Sequence, residues 1–187
     1  NTFTVSFDSN DGTAVSDITG VRYEAIIAVP DAPTKTGYTF GGWHKDAGLT
    51  TAWSFNSDKV TEATTLYARW TANTDTVYKV ARYQQDVAGD GYTLKDTENL
   101  TGTTDETVTA APKVYTGFSE NTKHAGRVAS GAIAPDGSLA LKLYYERNTF
   151  TVSFDSNDGT AVSDITGVRY EATITAPEAP TKTGYTF

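Results

Sequence analysis

Cysteine is absent from all 187 residues, which removes disulfides, thiolate metal ligands and a cysteine nucleophile together. Small disulfide-free modules occur in secreted and in cytosolic proteins, so this absence assigns no compartment. Histidine is nearly as scarce: His44 and His124 are the only two, and neither stands at metal-ligand spacing from another His. Both are expected at solvated loop positions. No G-x-S-x-G elbow occurs, so no catalytic residue, cofactor or metal is expected and the chain is read as non-enzymatic. Clustered positive charge is missing too. The net charge is −8 with a pI near 4.7, and the scattered Lys and Arg repel rather than grip phosphate backbones or anionic membranes. Nucleic acid is therefore not an expected partner. No apolar run is long enough to span a bilayer, so no direct membrane insertion is expected of this stretch. Helical periodicity is also lacking, which leaves at most short pieces near Asn56–Ala63 or Glu120–Ala125.

What is present is repetition. Asn1–Phe40 and Asn148–Phe187 align without a gap and differ only at Ile26/Thr173, Ala28/Thr175, Val29/Ala176 and Asp31/Glu178. Identity that close at a fixed offset marks a tandem array. The first copy continues through GGWHKDAGLTTAWSFNSDKVTEATTLYARW, whereas the second stops where that continuation would begin. The chain thus reads as a window from a longer array, with modules expected at 1–72, 73–147 and 148–187, the last a truncated second copy. Modules of about 70 residues lie near the lower end for independent folding. With 38% hydrophobic residues, including 11 Tyr, 8 Phe and 3 Trp, each has large side chains to bury and is expected to be globular.

The pattern is one of strands. Phe3, Val5 and Phe7 alternate with Thr4 and Ser6 and run into the turn-rich Asp8-Ser9-Asn10-Asp11-Gly12. Further strands are expected over Ile18–Ile27, Thr39–Trp43, with Gly41-Gly42 suiting a bulge, and Thr65–Trp70, where Leu66, Ala68 and Trp70 share a face. Beyond a polar joint at Thr71–Asp75, which permits some bending, Val77–Tyr83 and Tyr92–Thr97 flank a turn at Asp86–Gly91. A third strand is expected around Pro112, in Val108–Ala110 and Val114–Phe118. A final hairpin is expected from Gly131–Ala134 and Leu139–Tyr145 about Pro135-Asp136-Gly137. Leu139–Phe154 holds neither Gly nor Pro, so that junction is expected to be stiff.

Taken together, FDSNDGTAV, APTKTGYTFGGW, AWSF and TLYARW resemble the Listeria-Bacteroides repeat, a module of bacterial surface proteins related to the B repeat of internalin B. The resemblance covers residues 1–70 and the first part of the module in 148–187, and the P-x-K-x-G-Y-x-F-x-G-W string makes it specific. The middle segment, with VYKVARYQQD, GDGYTL, P-x-x-Y-x-G-F at Pro112–Phe118 and APDGSLALKLYYER, resembles the mucin-binding-type repeats that alternate with it. The resemblance implies a mostly β (α+β class) array of small β-grasp-like modules set end to end, with little helix and with the first and last strands of each module adjacent and parallel. It also implies an extracellular stalk or spacer of a surface protein attached to the cell wall, whose partners are neighbouring repeats.

An adhesive alternative rests on the aromatics. Trp43, Trp53 and Tyr67 are candidates for a platform that stacks on host or matrix glycan or meets a protein ligand, against the competing expectation that large rings fill the core of so small a module. Asp8–Gly12 and Asp86–Gly91 superficially suggest calcium loops, but neither supplies oxygen ligands at 1, 3 and 5 with Glu at 12, so both are read as turns. Asn99-Leu100-Thr101 matches a glycosylation sequon, with no role attached. Residues 148–187 lack counterparts of Gly41–Trp70, so this copy is expected to pack on the middle segment or to pair with a neighbouring chain.

Overall fold

The structure is a computed structural model that describes residues 1–187 as twelve strands and no helix. The chain divides into two compact units. One comprises Asn1–Tyr78, Thr101–Thr107 and Ala132–Leu139, the other Lys79–Leu100, Val108–Gly131 and Ala140–Phe187.

In the first unit, β1 (Thr2–Asp8), β2 (Ile18–Arg22), β3 (Tyr38–His44) and β4 (Thr64–Ala72) form a sheet in the order β2-β1-β4-β3. β1 pairs antiparallel with β2 and parallel with β4, from Val5↔Thr64 to Asp8↔Tyr67. The β3/β4 ladder is antiparallel and shifts register between Phe40 and Trp43. That is the bulge expected at Gly41-Gly42, where Gly42 takes φ 95°, a conformation glycine adopts without steric cost. Period-2 alternation places Val5, Val21, Leu66 and Ala68 inward, and Ile27, Trp43 and Val60 close the core around them. β2 is shorter than expected and ends at Arg22. The chain turns at Tyr23-Glu24, because Glu24 N–H finds the Val60 carbonyl at 2.8 Å and Val60 N–H finds Ala25 at 3.0 Å, so Ile27 is buried from a loop. The Thr71–Asp75 joint is not the bending linker expected of it. Asn73 N–H donates to the Gly37 carbonyl and Asn73 C=O accepts from Thr104 N–H, both at 2.9 Å.

The second unit is built on β5 (Thr76–Gln85), β6 (Tyr92–Gly102), β7 (Thr107–Thr109), β8 (Phe118–Glu120), β9 (Ser130–Ala132) and β10 (Ala140–Arg147), the ends of several strands belonging to the first unit. The main sheet has the order β6-β5-β10-β8. β10 runs parallel to β5 from Ala140↔Lys79 to Tyr145↔Gln84, and antiparallel to β8. The turn at Pro135-Asp136-Gly137 forms as expected, with Gly137 N–H on Ala134 C=O at 2.9 Å. The hairpin around it does not, since β9 pairs with β7. Both edges of β10 are already taken, by β5 and β8, and no ladder remains for β9. Val114–Tyr115, expected to be strand, lies outside β8, and Val114 is fully exposed.

The same unit contains β11 (Thr149–Val152) and β12 (Ile165–Arg169), an antiparallel pair belonging to the second copy. It packs on the middle segment. The Arg147 guanidinium donates to Tyr170 C=O at 2.9 Å and to Glu171 at 2.7 Å, and Tyr170 meets Phe118 edge-on at 6.0 Å. Arg169 donates to the carbonyls of the Asp86–Gly91 turn. Neither segment expected to hold short helix does so. Ser54–Asp58 is a turn closed by Asp58 N–H on Ser54 C=O at 2.9 Å, and Asn121–Arg127 is a pair of turns.

Candidate functional site

Two parallel strand pairs set what each sheet can do. Parallel neighbours start at the same end, so in β1/β4 and in β5/β10 the chain enters a sheet at one pole and leaves at the other. Tension between such strands loads their ladder in shear, and several hydrogen bonds, each worth about 0.5–1.5 kcal/mol net, must fail together. The ladder between β5 and β10 is the longer of the two.

The aromatic candidates are held by the first sheet. Trp43 follows the β3 bulge and is 3% exposed, with Phe7 edge-on at 4.8 Å and Phe40 at 5.4 Å. Its ring presents no face to solvent. Trp53 is half-buried: its backbone N–H donates to the Trp43 carbonyl at 2.8 Å, and Lys45 Nζ lies 5.6 Å from its ring centre. Tyr67, half-buried on β4, sits opposite His44 in the ladder. Trp70 packs against Phe40 and donates its indole N–H to Ser9 C=O at 2.8 Å. It thereby ties the last strand to the first turn.

Neither histidine is solvated as expected, and only His124 keeps its loop position. His44 is a β3 residue only 4% exposed, because the strand continues one residue past Trp43 to pair with Tyr67. His124 lies in a turn but is half-buried, stacked on Tyr144 with ring centres 3.7 Å apart, its Nδ1 accepting Gly126 N–H at 3.0 Å. The two acidic loops are bonded as turns. Asn10 N–H reaches Asp8 Oδ1 at 2.9 Å and Gly12 N–H reaches Ser9 C=O at 3.0 Å, while Asp86 N–H closes on Gly91 C=O at 2.9 Å. No cluster of three or more metal-ligating side chains is present.

The sequence profile of the Listeria-Bacteroides repeat domain matches residues 3–69 and 150–187, more than half of the chain. The chain belongs to the Listeria-Bacteroides repeat family. Two proteins of Evansella cellulosilytica, named "Putative membrane protein" and "Putative Gly-rich membrane protein", are 33% and 31% identical over 192 residues, covering 100% of this chain and 27% and 21% of their own lengths. Internalin H of Listeria monocytogenes is 39% identical over 79 residues, covering 38% of this chain and 14% of its own length. The chain spans about a quarter or less of the length of these curated relatives. The family match leaves residues 70–149 uncovered, but the Evansella alignments run through them. No helix is long and apolar enough to cross a membrane.

That uncovered middle of the Listeria-Bacteroides repeat chain holds the most buried charge in the molecule. Arg82, on β5, is 2% exposed and donates to Glu98 at 2.9 Å, to Asp96 at 3.2 Å and to the Ala111 carbonyl at 2.9 Å. Burial alone would lower its pKa, but Glu98 and Asp96 outweigh it and raise the value. Burial likewise opposes ionisation of Asp96, yet the Tyr115 hydroxyl, Arg82 and Lys113 hold its carboxyl below the usual range. Burial and the bond to Asp96 push the Tyr115 hydroxyl up. The network pins β6 to β5, leaving only Arg82 Nε buried without a hydrogen-bond partner. Sequence reasoning passed over it. The available signal was Asp96 and Glu98, two acidic residues on one face of a strand, facing a neighbour that carries an arginine among apolar residues.

Proposed function

We propose that this chain is a non-catalytic extracellular repeat segment that serves as a stalk or spacer of a bacterial cell-surface protein, its parent held at the cell wall. One observation carries the reading: in both main sheets the first and last strands are parallel neighbours, an arrangement that turns repetition into length and sets the ladders in shear under tension. In this reading the modules are 1–72, 73–147 and 148–187, each β-grasp-like, with the middle one of mucin-binding type alternating with the Listeria-Bacteroides type. Membership of a repeat family and the likeness to internalin H support it. Neighbouring repeats are the principal partners. Single-molecule pulling of the full chain tests the stalk. Rupture at the high forces of shear supports it, and rupture at the low forces of strands peeled bond by bond overturns it.

A second reading, adhesion to glycan or to a protein ligand, falls to Trp53 and Tyr67, the half-exposed members of the aromatic set, with Trp43 enclosed behind them. Glycan-array binding that disappears in Trp53→Ala while the Trp43 core signal persists would establish it.

A further inference from the structure

The same polar joint is built twice from different surroundings. Thr36-Gly37-Tyr38-Thr39 leads into β3 of the first unit, and Thr116-Gly117-Phe118-Ser119 leads into β8 of the second. Both glycines adopt left-handed φ, 79° and 77°. The residue after each donates back across the turn, Tyr38 N–H to Lys35 C=O at 3.0 Å and Phe118 N–H to Tyr115 C=O at 3.1 Å. The strand paired with each turn ends in an asparagine, Asn73 after β4 and Asn148 after β10. Asn73 N–H donates to Gly37 C=O at 2.9 Å and Asn148 N–H to Gly117 C=O at 2.8 Å, so each ladder continues one bond past its last registered pair, Tyr38↔Ala72 and Phe118↔Arg147. The Thr39 hydroxyl bonds Asn73 Oδ1 at 2.8 Å, and the Ser119 hydroxyl bonds Asn148 Oδ1 at 2.7 Å. Each asparagine then turns its carbonyl to the segment that follows it, accepting Thr104 N–H at 2.9 Å and Tyr170 N–H at 2.8 Å.

The glycines are contact points as well as turn points. A Cβ on Gly37 would meet Pro135 Cβ at 2.7 Å, and one on Gly117 would run into the Tyr170 ring. Gly184, in the third example Thr183-Gly184-Tyr185-Thr186, has the same φ of 80° and the same back-bond from Tyr185 N–H to Lys182 C=O at 3.0 Å, but nothing within 4 Å of a Cβ.

We propose that the Thr-Gly-aromatic-Ser/Thr turn, together with the asparagine ending the strand beside it, is the docking face on which each repeat seats its successor. The partner it fits is the following repeat, which offers one backbone N–H to the asparagine carbonyl and one flat apolar group to the bare glycine. Glycine is required at the turn for φ, and required a second time at a joint because the successor occupies the space of its Cβ. The joint acts on repeat order whether or not the array carries load, so this inference rests on the module division of the proposed function but not on its load-bearing role.

Because the chain lacks cysteine, spin labels can be placed on the full protein at chosen pairs: Ser57→Cys with Ser138→Cys across the first joint, and Lys123→Cys with Thr175→Cys across the second. Gly37→Ala is expected to broaden the distance distribution of the first pair alone, about twofold, as its joint opens locally. Gly117→Ala broadens the second pair alone. Gly184→Ala carries the same backbone cost and broadens neither. If a glycine variant unfolds its own sheet, reported by Trp43 fluorescence or tyrosine circular dichroism, two double variants decide. Asn73→Ala with Thr39→Val and Asn148→Ala with Ser119→Ala remove the side-chain bond without touching φ, and each is expected to broaden its own joint. Unchanged widths in the joint variants, or equal broadening by Gly184→Ala, overturn the proposal.

Discussion

Residues Asn1–Phe40 and Asn148–Phe187 share all but four letters, and they fold alike wherever the cause is local. Asn10 and Asn157 take φ 47° and 46°, Asp11 and Asp158 66° and 65°, Gly20 and Gly167 70° and 69°. Thr13 N–H reaches Thr34 C=O at 2.9 Å, and Thr160 N–H reaches Thr181 at 2.8 Å. The Ser6–Asp17 and Ser153–Asp164 bonds are both 3.0 Å, and the register shift in the β1/β2 pair recurs in β11/β12. Where the cause is distant, the copies part. β1 runs through Asp8 because Ser6, Phe7 and Asp8 have partners on β4, and β11 stops at Val152. Ile27 is 6% exposed and its counterpart Ile174 is 42% exposed. The turns and the hairpin are therefore written in about forty residues, but their burial is supplied by β3 and β4.

Removing the β4 contribution is the largest test of that contrast. Leu66→Ala, deleting a fully buried side chain, is expected to cost about 2–5 kcal/mol, read by urea titration of tryptophan fluorescence. A cost near zero would mean β4 does not organise the first copy. Next comes one substitution made twice. Val5→Ala removes two buried methyl groups and should cost about 2 kcal/mol, whereas Val152→Ala, at a half-exposed position, should cost well under half of that, both read by urea titration of far-ultraviolet circular dichroism, since all three tryptophans lie in the first copy. Equal costs would break the comparison. Hydrogen exchange sharpens it further: Thr13 and Thr160 amides should both be protected, while amides of β1 that face β4 should exchange far more slowly than their counterparts in β11.

The smallest effect is acid sensitivity. The Lys45 ammonium, followed by Ser54 N–H, holds the Asp58 carboxyl below its ordinary value of 3.8. A carboxyl depressed in the folded state contributes stability above its unfolded pKa, and that contribution is lost as pH falls through the lower folded value. The first unit should thus weaken below about pH 4 by no more than roughly 1 kcal/mol, as expected for an exposed pair. Asp58→Asn should flatten that limb of the pH profile.

Much of the fold was legible before any coordinates. Alternation located β1, β3, β4 and β5, because a half-buried strand must change face at each residue, the Asp86–Gly91 turn located the start of β6, which runs past Thr97 to Gly102, and the Gly-Gly bulge and the Asp-rich turns followed from backbone conformations that few residues tolerate. Ile18–Ile27 was overextended since nothing local shows that Val60 draws the chain aside at Glu24. The last hairpin was misassigned for a similar reason: Pro-Asp-Gly specifies a turn but not which strands flank it. Of the candidate aromatics, burial of Trp43 was weighed from module size alone, while the exposure of Trp53 and Tyr67 depended on what packs nearby.

By itself the sequence determined the repetition, the family, the strand positions and the turns, all of which depend on the backbone preferences and alternation of residues close in the chain. The parallel pairing of first and last strands came from the family resemblance; only the tertiary structure decided its register, the burial of Arg82 between Asp96 and Glu98, and the asparagine-glycine joints. Those join residues from 14 to 61 positions apart, and the hydrogen bonds and exclusion of water that hold them exist only once the sheets have assembled.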